Sequence, residues 1–150
     1  MPGSVSTALR FPMSYNGVIQ RKLALLDNQV QKLKLHTTGL TFDEFREDWV
    51  IRSMSERAVQ VCAEIIIDIA ERLIAMNNAG PAATAAESIE KLHILGLIQS
   101  VEPYRSMVRL RNLIVHQYEV IDPSLLYSIV TEKLDDFLKF RDEIDAIDIG

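Results

Sequence analysis

The chain has 150 residues, 48% of them hydrophobic and 25% charged, with 16 basic against 21 acidic side chains and a net charge of −5. That length suits one domain, because a second full-sized core would need roughly another 150 residues. A single cysteine excludes an internal disulfide framework and a cysteine-based zinc cluster, three scattered histidines give no metal-ligand spacing, and the acidic balance argues against a broad clamp on duplex nucleic acid.

Residues 1–14 read as a flexible leader and 15–150 as one helical domain. The leader lacks a basic start followed by an apolar core, so no signal peptide is expected. The most apolar run, Cys62 to Met76, is interrupted by Glu64, Asp68, Glu71 and Arg72, so no membrane span is expected either. The cytoplasm is the expected compartment.

Apolar residues then recur at three- and four-residue intervals, and no run alternates as a strand would. The spacing predicts a first helix over about 14–36, carried by Val18, Leu23, Leu26, Val30 and Leu33, with Gly39 as its stop. Thr41-Phe-Asp-Glu44 matches a capping box and starts a long helix over about 43–77, with room for a short lead-in turn before Trp49. Asn77 to Pro81 breaks that helix. A shorter helix follows over about 85–95, ended by Gly96, and another over about 101–118. Asp122-Pro123 opens the last one, Asp as cap and Pro at the first helical position. Short connections favour antiparallel neighbours, so the expected fold is all-α, an up-and-down bundle of four to five helices.

Charge is uneven along the chain. Arg10 to Lys34 holds five bases and one acid, Asp27, whereas Glu132 to Asp148 holds seven acids and three bases. Each tract alone reads as a solvated face. Read functionally, they make a positive flank for a polyanion and a negative flank that repels it.

The segment from Arg105 to Tyr118 does not read as scaffold. On a helix advancing about 100° per residue, Arg109, Asn112 and His116 fall within roughly 40° of Arg105, making one polar stripe. Met107, Val108, Leu110, Ile114 and Val115 cover the opposite side. Arg111 and Tyr118 fall inside that apolar sector, and a guanidinium directed at a packing face is costly unless paired. Glu64 and Asp68 are candidate partners for Arg111, with Asp68 favoured by its flanking Ile67 and Ile69. Asn112 and His116, four apart, can touch, so the amide can orient the imidazole. Arg111 and His116 lie roughly 140° apart and cannot both reach one small group from a straight helix. A site using both lies at a helix edge, relies on arginine reach, or is completed by a second copy across a two-fold axis. His36, His93, Cys62, Ser124, Ser128 and the acid pairs Asp135-Asp136 and Asp142-Glu143 are assigned no chemistry.

Arg111-Asn-Leu-Ile-Val-His116-Gln-Tyr118 resembles the R-x4-H-x-Y motif of HepT-type toxins, members of the HEPN ribonuclease superfamily. Glu56-Arg-Ala-Val-Gln60, Asp68-Ile-Ala70, the Leu-Gly-Leu-Ile stretch at 95–98 and Val120-Ile-Asp-Pro123 follow in matching order. The resemblance covers about residues 18–147 and implies a HEPN-like helical bundle. It implies a toxin of a type VII-like toxin–antitoxin module, acting as a metal-independent endoribonuclease with no cofactor. The implied partners are a second copy sharing a cleft, an RNA substrate, and an MNT-type nucleotidyltransferase antitoxin that adenylylates Tyr118. Arg111 and His116 become the catalytic pair, Asn112 and Asp68 supporting residues, and Arg105 and Arg109 candidates for RNA-backbone contacts.

RNA carries its own nucleophile, the 2′-hydroxyl, so a proton-transferring imidazole and a charge-neutralising guanidinium suit its cleavage. Two other readings use the same residues. In one the chain is a non-catalytic helper that binds nucleotide or substrate for a nucleotidyltransferase. In the other it is a structural bundle with a buried arginine pair.

Overall fold

The computed structural model describes residues 13–116 and 121–147. Among the described residues seven helices follow one another: α1 (Met13–Thr37), α2 (Phe42–Glu47), α3 (Trp49–Met76), α4 (Ala85–Ile94), α5 (Glu102–His116), α6 (Pro123–Glu132) and α7 (Leu134–Asp145). The fold is the expected all-α bundle, but two of the five expected helices are divided, which gives seven. α3 runs through the middle, packing on α1, α4 and α5, while α7 packs on α1 and α5. Ile66, Ile69, Ala70 and Leu73 of α3 meet Leu26, Val30 and Leu33 of α1 and Phe137 and Phe140 of α7 in one continuous core. Cys62 is sealed within it, and burial pushes its thiol up to about 12.

The first division falls at Asp48, in place of the lead-in turn. Thr41 accepts a hydrogen bond from the Glu44 amide (3.1 Å) while the Glu44 carboxylate accepts one from the Thr41 amide (2.9 Å), so the capping box starts α2. Asp48 then caps the start of α3 by accepting from the Ile51 amide (3.1 Å). The change of direction buries Phe45 against Tyr127, whose hydroxyl donates to the Leu40 carbonyl (2.6 Å).

The second division, at Lys133, has no glycine or proline to announce it. The Thr131 hydroxyl donates back to the Tyr127 carbonyl (2.7 Å) and the Ser128 hydroxyl to the Leu125 carbonyl (2.8 Å). Such back-bonding bends helices, and here the bend lets Leu134, Phe137 and Phe140 all reach the core.

α1 begins at Met13, one residue before its expected start, and the rest of the leader lies outside the described residues. Gly39, at φ +83°, takes the left-handed conformation that ends α1. The charged tracts differ from the flanks that the sequence suggested. Lys34 pairs with Asp135 and Asp27 with Arg141, each at 2.7 Å, tying α1 to α7. Lys22 reaches Asp68 on α3 (2.5 Å). Two of the five bases of the tract are thus engaged internally, Lys34 by the acidic tract of α7 and Lys22 by α3. Among the described residues no helix is long and apolar enough to cross a membrane.

Candidate active site

α5 carries the polar motif, and its rotation about its own axis decides what each motif residue faces. Tyr104, fully buried, anchors that rotation. Its ring meets Phe140 of α7 edge-on at 5.0 Å between centroids, and its hydroxyl donates to Glu143 in a very short hydrogen bond. Glu143 also accepts from the amides of Gln99 (2.5 Å) and Ser100 (3.3 Å), so one carboxylate from α7 ties down the approach to α5. Burial and then the Glu143 charge push the Tyr104 hydroxyl well above the ordinary phenol range. Arg111 lies seven residues beyond Tyr104, two turns along and on nearly the same face.

Arg111 is partly buried. It lines a cavity of about 190 Å³ with Glu64, Ile67, Asp68 and Glu71, a row at i, i+3, i+4 and i+7 on α3. The expected pairing with Asp68 does not form. Asp68 is held by Lys22 (2.5 Å) and by Arg72 (3.3 Å), cations that already satisfy its charge. Burial would raise the Asp68 carboxyl, but the hydrogen bond and charge of Lys22, joined by Arg72, outweigh it and hold the carboxyl below its usual range. Among the described residues Arg111 makes no ion pair, with Glu64 or any other acid, and its buried Nε has no hydrogen-bond partner. A cationic side chain thus stands at a cavity with donors to spare.

His116 and Asn112 are exposed on the outer stripe of α5. Arg111, five residues before His116, faces the α3 side, so one chain brings the two to neighbouring faces and not to one point. Arg105 and Arg109 share that stripe but are not free. Arg105 makes a very short contact with Glu90 of α4 and pairs with Glu102 (3.1 Å), and Arg109 meets the other oxygen of Glu102 at 2.6 Å. Tyr118 lies outside the described residues. His93 is exposed, and its Nδ1 lies 3.3 Å from the Ile98 carbonyl, a turn contact. Among the described residues no three His, Cys, Asp or Glu side chains converge in a way that could hold a metal ion.

Sequence reasoning missed Glu143 and Glu102. Glu143 comes from another helix and leaves no signal in spacing. Glu102 does leave one, since it precedes Arg105 by three residues and Arg109 by seven, which puts all three on one helix face.

A family model described as Ribonuclease HepT-like matches residues 26–144. The mRNA nuclease HepT of Shewanella oneidensis is 26% identical over 134 residues, spanning 87% of this chain and 98% of that protein. The tRNA nuclease HepT of Aphanizomenon flos-aquae is 23% identical over 134 residues, spanning 86% and 88%. Among solved structures, the tri-AMPylated Shewanella oneidensis HEPN toxin in complex with MNT antitoxin superposes with a TM-score of 0.78 at 26% identity, over 87% of this chain and 98% of that one.

Proposed function

Because the chain belongs to the Ribonuclease HepT-like family, we propose that it is the toxin of a toxin–antitoxin module. In this reading it is a metal-independent endoribonuclease, works as a cytoplasmic homodimer, and is silenced when an MNT-type nucleotidyltransferase adenylylates Tyr118. Similarity to nucleases named for mRNA and tRNA supports an RNA substrate. The relative solved as an AMPylated toxin with its MNT antitoxin supports both the partner and the modification.

The observation that carries this reading is Arg111, which makes no ion pair among the described residues. A structural bundle would use a buried arginine in an ion pair, whereas here Lys22 and Arg72 occupy Asp68 and leave Arg111 facing a cavity. Its planar fork suits two phosphate oxygens at once. His116 is exposed at the end of α5, and in this reading its imidazole exchanges protons with a bound strand. A two-fold pairing of α5 helices sets the Arg111 of one protomer beside the His116 of its partner, which answers the angular mismatch within one helix.

In the reaction the 2′-oxygen attacks phosphorus and its proton passes to an imidazole. The bond from phosphorus to the 5′-oxygen breaks, and that oxygen takes a proton back. Arg111 neutralises the charge that builds on the phosphoryl oxygens. The products are a 2′,3′-cyclic phosphate and a 5′-hydroxyl. An adenylyl group on Tyr118, two residues beyond His116, offers Arg111 the wrong phosphate and obstructs the cleft.

The test is RNA cleavage in chelator by wild-type, Arg111→Ala and His116→Ala proteins. Each substitution is expected to slow cutting at least about a hundred-fold, with the helical signal retained. Cutting by His116→Ala at the wild-type rate would exclude the mechanism. An inert wild-type protein that still binds nucleotide favours the helper reading. Intact mass and peptide mapping after co-expression with the nucleotidyltransferase should place the added adenylyl mass on Tyr118.

A further inference from the structure

The outer stripe of α5 carries Arg105, Arg109 and His116, and its two arginines are held in different ways. Arg105 is braced between helices: Glu90 of α4 holds one side of its guanidinium and Glu102 the other, and only 33% of its side chain is exposed. Arg109 is 57% exposed, and among the described residues its polar contacts stay within its own helix, through Glu102 (2.6 Å) and the Ser106 hydroxyl (3.0 Å). Glu102, itself 63% exposed, thus spans both arginines with its two oxygens. An exposed pair of this kind is worth little and exchanges readily with another anion. Arg109 also lies about 10 Å along the helix axis from His116, within reach of one short RNA segment.

We propose that Glu102 limits the enzyme's affinity for RNA by acting as an internal stand-in for a phosphate: it occupies Arg109, and the substrate backbone must displace it to gain that contact. Arg105 takes no part in the exchange and serves as a brace between α4 and α5. This rests on the reading of the chain as a ribonuclease. It adds a residue whose removal strengthens substrate binding, the reverse of what loss of a positioning group does.

Binding is read apart from cutting with a single-stranded 2′-O-methyl oligonucleotide, which lacks the attacking hydroxyl, by fluorescence anisotropy across a salt series. Glu102→Gln is expected to bind about three- to five-fold more tightly than wild type at low salt. Its dependence of log K on log salt should steepen by about 0.7, one added phosphate contact on a single strand. Arg109→Gln is expected to weaken binding about two-fold or less in the wild-type background, where Glu102 masks it, and to erase the whole gain in the Glu102→Gln background. Equal effects of Arg109→Gln in both backgrounds indicate only a long-range change of net charge and overturn the proposal. So does a wild-type protein that binds the oligonucleotide while Glu102→Gln binds no better. If none of the proteins binds it, the RNA substrate itself is wrong and the inference falls with it.

Discussion

Asp68 shows how far a single residue can be read before its neighbours are known. Its place between two isoleucines on α3 was legible, and so was the direction of Arg111 toward the packing side of α5. The partner was not, because Lys22 arrives from a helix more than forty residues earlier and takes the carboxylate first. The lowered Asp68 carboxyl fixes the sign of a pH effect. Its stabilising contribution is present above the ordinary carboxylate range and is lost as pH falls through its depressed folded value. Asp68→Asn is therefore expected to lower stability at neutral pH while flattening the acid limb of a melting-temperature profile. A variant whose profile parallels wild type from pH 7 down to pH 3 contradicts that pairing.

At the scale of the helices, the ends were more legible than the breaks. Thr41 with Glu44, Asp122 with Pro123, and Gly39 announce their caps in sequence, and each stands at a helix end in the structure. Lys133 is an ordinary helix former, and its break arises from hydroxyl back-bonding and from the need to seat Phe137 and Phe140 together. The Tyr104–Phe140–Glu143 contact between α5 and α7 was invisible for the same reason: it joins side chains of separate helices with no shared periodicity. Two substitutions divide its contributions. Phe140→Ala removes a fully buried ring and should cost about 3–5 kcal/mol in urea denaturation. Tyr104→Phe keeps the ring and loses only a hydrogen bond to a carboxylate, an effect of about 1.5–3 kcal/mol. A larger loss from Tyr104→Phe than from Phe140→Ala would mean that the hydroxyl, and not the ring packing, secures α5.

For the molecule as a whole, packing outweighs charge. The pairs that tie α1 to α7 are partly exposed, and such pairs contribute about 1 kcal/mol or less each. Raising the salt from low to molar concentration should therefore shift the melting temperature by only a few degrees, since screening removes no apolar contact. Chelator should leave the melt unchanged, because among the described residues no side-chain cluster could hold a metal ion. A fall of ten degrees or more in either condition would point to an electrostatic or metal-borne contribution that the packing does not contain. Cys62 has a practical use on the same scale. Thiolates, and not thiols, react with alkylating reagents, and this one is enclosed and held protonated. A cysteine introduced at Leu35, which is 77% exposed, should therefore accept a fluorophore or spin label selectively in the native protein. The wild-type thiol needs no replacement, and its own slow alkylation becomes a clock for how often the bundle opens.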